Sequence, residues 1–287
     1  MSGKTRLSPA AKLPELSLRE EKAVEAQSRP SAALIHETIR AEGESELDRT
    51  TGALLLSGLA AGLTMGLSLV AQGLLHARLP DAPWRELVVA FGYTIGFLIV
   101  ILGRQQLFTE NTLTPVLSLL YHRDARTLSR VLRLWALVLV ANLAGTWFIA
   151  IVLAHGGVFG PDIAAAFDTL SRPAVAAPFW TTVLKAVFAG WLIATMAWLL
   201  PGSGSSPWFV IVALTYVVAV GQFAHVVAGS VDAFYLFETG ELTLSGYATR
   251  FLLPTLIGNV IGGVALVAAL NYGQAAPEVE PAPDAGA

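Results

Sequence analysis

The 287 residues contain no cysteine. That excludes disulfides, zinc–thiolate sites and thiol nucleophiles. Charge is scarce as well. Only 14% of residues are Asp, Glu, Lys or Arg, against roughly 25% in an ordinary soluble domain. No nucleotide-binding loop, metal-ligand cluster or Ser-His-Asp spacing is visible, so neither an enzyme nor a cofactor is expected. The net charge of −3 argues against a nucleic-acid partner. No apolar segment precedes Thr50, so a signal peptide is not expected.

What is present is apolar surface. Hydrophobic residues make up 54% of the chain, and the mean hydropathy is +0.62. A soluble fold of this size cannot bury that much, so an all-α polytopic membrane protein is expected. Residues 1–49 differ, with eight Lys or Arg and nine Asp or Glu. Within them, Ser31 to Asp48 reads as an amphipathic helix with Leu34, Ile35, Ile39 and Ala41 on its apolar side, lying on the membrane surface. A flexible charged tail is the competing reading. Residues 274–287 read as a disordered tail.

Charges mark the spans between these ends. No Asp, Glu, Lys or Arg falls between Arg49 and Arg78, between Glu86 and Arg104, or between Arg133 and Asp162. A fourth run, Phe179 to Leu200, is interrupted only by Lys185, read as snorkelling or ion-paired. A fifth starts at Trp208, and a sixth lies between Arg250 and Glu278. Residues 50–273 are thus expected to hold six passages. The N-terminal segment and the group Arg123, Arg126, Arg130 and Arg133 fall on one side of a six-span chain. The positive-inside rule makes that side cytoplasmic, with both termini inside. Gly58, Gly62 and Gly66 recur every four residues in the first passage, a spacing that favours close helix contact within the protomer.

Two passages look broken. The second reaches Arg104 too early and runs through the polar RQQLFTENT before an apolar half-helix resumes. The fifth carries His225, Gly229, Ser230 and Asp232 near mid-membrane. Polar backbone at that depth is tolerated where it lines a cavity or is buried in protein. Asn142-x-x-Gly145 follows the first break at nearly the spacing at which Asn259-x-x-Gly262 follows the second. Three passages per half then imply an inverted 3+3 repeat with a pore at the breaks, where inward-pointing helix N-termini favour an anion. The bland alternative is a pair of kinked helices in a structural bundle.

These residues carry a resemblance. Gln106-Leu107-Phe108-Thr109-Glu110-Asn111, the stretch Gly221 to Gly229 around His225, Gly190-Trp191-Leu192-Ile193-Ala194 with Trp198, and Pro254, Gly258, Asn259, Gly262 and Gly263 resemble, in order, four motifs of the formate/nitrite transporter family. The similarity covers roughly residues 34–273. The charged tail and its lead-in resemble the divergent YfdC-like branch. The resemblance implies an aquaporin-like fold, an inner-membrane homopentamer with one pore per protomer, and passage of small monovalent anions or weak acids such as formate or nitrite, with or without a proton. It makes His225 the central pore histidine and Thr109 its partner from the other half. Asn259 becomes a support, and Leu107 and its neighbour Phe108 belong to the apolar constriction. Tyr93, Phe97 and Val218 become bulky pore residues.

The departures are informative. The family's loop glutamate is Gln106 and its glycine is Glu110, a carboxylate that works against the anion-drawing dipole unless Arg104 pairs with it. Two family asparagines are Gly190 and Gly229, which removes amide neighbours from the histidine and leaves room for water. Ala174 stands at the place of an outer basic residue, for which Arg172 is a candidate substitute. Two competing readings stand beside transport of an anion: a non-transporting membrane scaffold acting through its N-terminal segment, and a pore for a neutral solute or cation.

Overall fold

The structure is a computed structural model that describes residues 30–268 and 270–274. The rest of the N-terminal tail and residues 275–287, with the disorder expected there, lie outside the described residues. Among the described residues there are helices, turns and loops but no strand. We label the main helices α1 Ala32–Leu47, α2 Thr51–Arg78, α3 Arg85–Leu102, α4 Thr114–His122 and α5 Ala125–His155. Then come α6 Pro161–Ser171, α7 Phe179–Leu199, α8 Pro207–Val220, α9 Ala228–Glu238 and α10 Leu244–Gln274.

By length and composition α2, α3, α5, α7 (continued to Gly202) and α10 suffice to cross a membrane, whereas α8, at 14 residues, falls short. Local chemistry sets several boundaries. Thr50 accepts the Ala53 N–H at the start of α2, and Asp124 accepts the Thr127 N–H at the start of α5. α4 stops at Arg123, whose φ of 53° is left-handed. α6 lies where the charge pattern indicates only a loop. It buries Ala166, Phe167 and Ser171.

Lipid tails are as apolar as leucine, so close packing rather than water exclusion must hold spans together. The sequence meets this with two stripes of small residues. A Cβ on Gly62 of α2 would stand 2.2 Å from the Asn142 carbonyl oxygen of α5, and one on Gly145 would stand 2.5 Å from the Leu59 carbonyl oxygen. In the other half, a Cβ on Gly190 of α7 would stand 2.4 Å from the Asn259 carbonyl oxygen of α10. One on Gly262 would meet the Val187 carbonyl oxygen at 2.3 Å. The Gly58, Gly62 and Gly66 stripe is therefore filled from within the chain, by α5. Large apolar side chains such as Leu56 of α2, Phe148 of α5 and Trp180 of α7 remain exposed on the outer faces.

The N-terminal helix departs from its expected placement. Its buried residues are His36, Ile39, Gly43 and Leu47, and Leu34, expected on the apolar side, is 58% exposed. Gly43 lies against α4 so closely that a Cβ would stand 2.2 Å from the Thr114 carbonyl oxygen. Ile39 joins Leu113, Val116, Leu117 and Ala197 in one cluster. α1 thus docks on protein, against the half-helix that follows the first break. The apolar count misled because its packing face runs through His36 and Gly43, neither of which scores as apolar.

Candidate functional site

The two breaks are built alike. After α3 the chain turns at Arg104, φ 51°, with the Gln105 N–H on the Val100 carbonyl at 2.9 Å. After α8 it turns at Gln222, φ 47°, with the Phe223 N–H on the Val218 carbonyl at 3.0 Å. Such φ values are uncommon outside glycine. An asparagine then clamps each loop. Asn142 Oδ1 accepts the Phe108 N–H at 2.9 Å, and its amide donates to the Gly58 and Gln106 carbonyls at 2.7 and 2.9 Å. Asn259 Oδ1 accepts the Val226 N–H at 2.8 Å, and its amide donates to the Ala186 and Ala224 carbonyls at 2.8 and 2.9 Å. Both asparagines are fully buried. Each supplies one acceptor and two donors to backbone that has left its helix, which is what buried irregular backbone requires. Asn259 therefore acts on the loop carrying His225 and is not itself a partner of the ring. Asn142 does the same on the opposite loop, a role the sequence reading did not assign to it.

The breaks meet at one hydrogen bond. His225 Nε2 lies 2.6 Å from Thr109 Oγ1, and Nδ1 accepts the Ala228 N–H at 3.1 Å. With Nδ1 accepting, the ring in this arrangement is the neutral tautomer that carries its proton on Nε2 and donates it to Thr109. The first turn of α9 thus orients the imidazole. Phe97 packs edge-on against it, centroids 5.0 Å apart, and Tyr93 packs on Phe97 at 5.2 Å. His225, Thr109, Leu107, Phe97 and Val218 are all buried. Phe108 is buried too, its ring edge-on to Trp135. What it brings to the loop is the N–H held by Asn142.

Two cavities border the breaks. One, of about 390 Å³, reaches His225 and includes Tyr93, Val218, Lys185 and Asp232 in its wall. The other, of about 660 Å³, lies between α1 and the first break and includes Gln106, Glu110, Arg104, Glu42 and Glu46. Thr109, Leu107 and Phe97 line neither cavity and stay fully buried.

Several departures from the family pattern find their physical explanation here. Arg104 is paired with Glu42 of α1, so the expected Arg104–Glu110 pair is not formed. Glu110 has no ion pair among the described residues. Gln106 donates to Glu46 at 3.1 Å and accepts from Asn111 at 2.9 Å, and Thr114 donates to the other oxygen of Glu46. A carboxylate thus remains at the loop, contributed by α1. Burial pushes the Glu46 carboxyl up to about 7, opposed by the hydrogen bonds from Thr114 and Gln106. Gly190 is required by the α7–α10 contact. At Gly229 a Cβ would stand 2.6 Å from the Phe251 ring, and both residues belong to the wall of the cavity that reaches His225. Arg172 is exposed and bound to Asp168 and Glu241 at 2.8 and 2.6 Å. The basic side chain in the wall of the cavity that also includes Ala174 is Lys185.

Comparison with known proteins agrees with this architecture. The family model described as "Formate/nitrite transporter" matches residues 33–273. Inner membrane protein YfdC of Escherichia coli (strain K12) is 40% identical over 246 residues, 85% of this chain and 79% of that protein. Formate channel BtFdhC of Bacillus thuringiensis is 28% identical over 81% of this chain and 91% of its own length. Among solved structures, an FNT family ion channel superposes with a TM-score of 0.74 at 19% identity, over 84% of this chain and 98% of that one. A pentameric formate channel with formate bound gives 0.66 at 16% identity, over 78% and 97%. At those identities the structures speak for the fold alone, an all-helical architecture. The family match over most of the chain speaks for descent: this protein belongs to the formate/nitrite transporter family.

Proposed function

We propose that the chain forms a path across the membrane for small monovalent anions or their weak acids, of the formate and nitrite kind, with His225 at its centre. The observation that carries this reading is the His225–Thr109 hydrogen bond, which joins the two breaks at the end of a cavity. An ionisable side chain at membrane depth is a functional candidate by default. In the proposed path Leu107, Phe97 and Val218 form the apolar constriction. A bare charge is expensive there, and a neutral acid is not.

The resting hydrogen bonds suit a neutral ring. A proton taken up on Nδ1 would turn the Ala228 N–H from a donor to the ring into a repelled neighbour. An anion arriving near Nε2–H would offset that change, so proton uptake and anion arrival favour one another. Asn142 and Asn259 act as positioning residues that hold the loops.

In the same reading α3 with α4, and α8 with α9, are each one broken passage. The chain then has six passages in an inverted 3+3 repeat, which the matched turns and asparagine clamps support. Both termini are cytoplasmic, and the assembly is a homopentamer like the formate channel with which it superposes. Flux in proteoliposomes tests the function. Formate, nitrite, acetate and a neutral solute are compared at pH 5 and pH 7, and saturable anion flux that rises at pH 5 is expected. Folded protein that passes none of them would favour the scaffold reading instead.

A further inference from the structure

α1 reaches the first break with two acids. Glu42 and Glu46 stand four residues apart, on one face of the helix. Glu42 pairs with Arg104, where the chain turns out of α3. Glu46 accepts from Gln106, two residues further on, at 3.1 Å, and from Thr114 at the start of α4 at 2.5 Å. Gln106 in turn accepts from Asn111 at 2.9 Å, so one amide joins the two ends of the segment 106–111. Thr109, the partner of His225, lies inside that bracket.

The Gln106 amide has one orientation that satisfies both neighbours. A carboxylate only accepts, so Nε2 faces Glu46 and Oε1 is left for Asn111. Asn111 is tied down further, because its carbonyl accepts the Trp135 indole N–H at 2.8 Å. Gln106, Thr109 and Asn111 are all buried, and a buried donor without an acceptor is costly. We infer that Glu46 is a positioning residue of the transport centre, the group through which α1 holds the loop that carries Thr109. The N-terminal helix is then a working part of the path. The inference rests on reading His225 and Thr109 as the centre of that path.

Hydrogen exchange and formate flux of the full-length protein in liposomes test it. Glu46→Ala keeps a good helix former in α1 and takes the acceptor from both the Gln106 amide and the Thr114 hydroxyl. Exchange in residues 105–112 should quicken at least about tenfold, the weight of one hydrogen bond to a charged group, and formate flux should fall with it. Gln106→Glu should do the same at pH 8. Two carboxylates then face each other beside Glu42 and Glu110, with Arg49 and Arg104 in the same cavity wall. Adding Glu46→Gln to that variant should restore both readings, because the exchanged pair makes the same bonds. The new amide at position 46 donates to the new carboxylate at position 106 and accepts from Thr114, and Asn111 donates to that carboxylate. Assembly of the double variant is read first, by size exclusion. Failure to assemble overturns the inference, and so does a double variant no better than Gln106→Glu alone. In Glu46→Ala, faster exchange in residues 32–47 with residues 105–112 unchanged makes Glu46 an anchor for α1 only and also overturns it. An unmodified protein that passes no formate overturns the transport reading instead, and the exchange data still decide whether Glu46 holds the loop.

Discussion

Replacing Asn142 by leucine keeps the side-chain volume roughly constant and removes three hydrogen bonds, to Phe108 N–H and to the Gln106 and Gly58 carbonyls. Side-chain hydrogen bonds between membrane helices average about 0.6 kcal/mol each, so three give a floor of about 2 kcal/mol. The Gly58 carbonyl lies within α2 and retains its helical partner. The Phe108 N–H and the Gln106 carbonyl lie in the break and have no helix to return to. A buried backbone group left unpaired costs about 1–3 kcal/mol, so for two of them a loss of about 2–6 kcal/mol is expected. Asn259→Leu should cost a similar amount, because it frees the Val226 N–H and the Ala224 carbonyl in the same way. Asn142→Asp keeps the acceptor for Phe108 but sets a carboxylate against two carbonyls, and should also destabilise. Equilibrium unfolding in mixed detergent micelles, followed by the fluorescence of the seven tryptophans, measures the three variants. A loss below about 1 kcal/mol for both leucine variants would refute the clamp argument. Clearly unequal losses would refute the equivalence of the two breaks.

Other consequences are as direct. Burial raises the Glu46 carboxyl from 4.5 to about 7, so between those values the docked α1 holds a proton that the released helix does not. Its attachment should weaken as pH rises through that window. Hydrogen exchange of residues 32–47 should therefore quicken from pH 5 to pH 8, after correction for intrinsic exchange, and Glu46→Gln should flatten the trend. Glu110→Gly removes an acid of the cavity wall that lacks an ion pair among the described residues, and should increase formate flux by about tenfold or less. A decrease would instead make Glu110 structural.

The breaks were legible because they violate a strong rule. A passage that meets Arg104 after 17 uncharged residues, and another that carries His225 and Asp232, cannot be ordinary spans. The matched spacing of the two asparagine motifs was legible in the sequence. That Asn142 and Asn259 do the same work depends on carbonyls contributed by α2 and α7, far away in sequence. The fate of the loop carboxylate was not legible either. Gln106 looks like a lost charge until α1 folds onto α4 and brings Glu46 to it. Lys185 was hidden by its surroundings, since one lysine in an apolar run reads as snorkelling until α9 brings Asp232 to the same cavity wall. Only the three-dimensional path of α10 brings the Phe251 ring beside Gly229.

The central claim is that His225 links anion passage to protonation. Formate flux into proteoliposomes is therefore measured at pH 5 and pH 7, for the unmodified protein and for His225→Asn. Asparagine places its amide near the Nδ1 position, where its oxygen can still accept the Ala228 N–H, and it does not titrate near neutral pH. The account predicts flux that rises at pH 5 in the unmodified protein and loses that rise in the variant, with assembly intact by size exclusion. An assembled variant that keeps the full pH dependence would remove His225 from the mechanism.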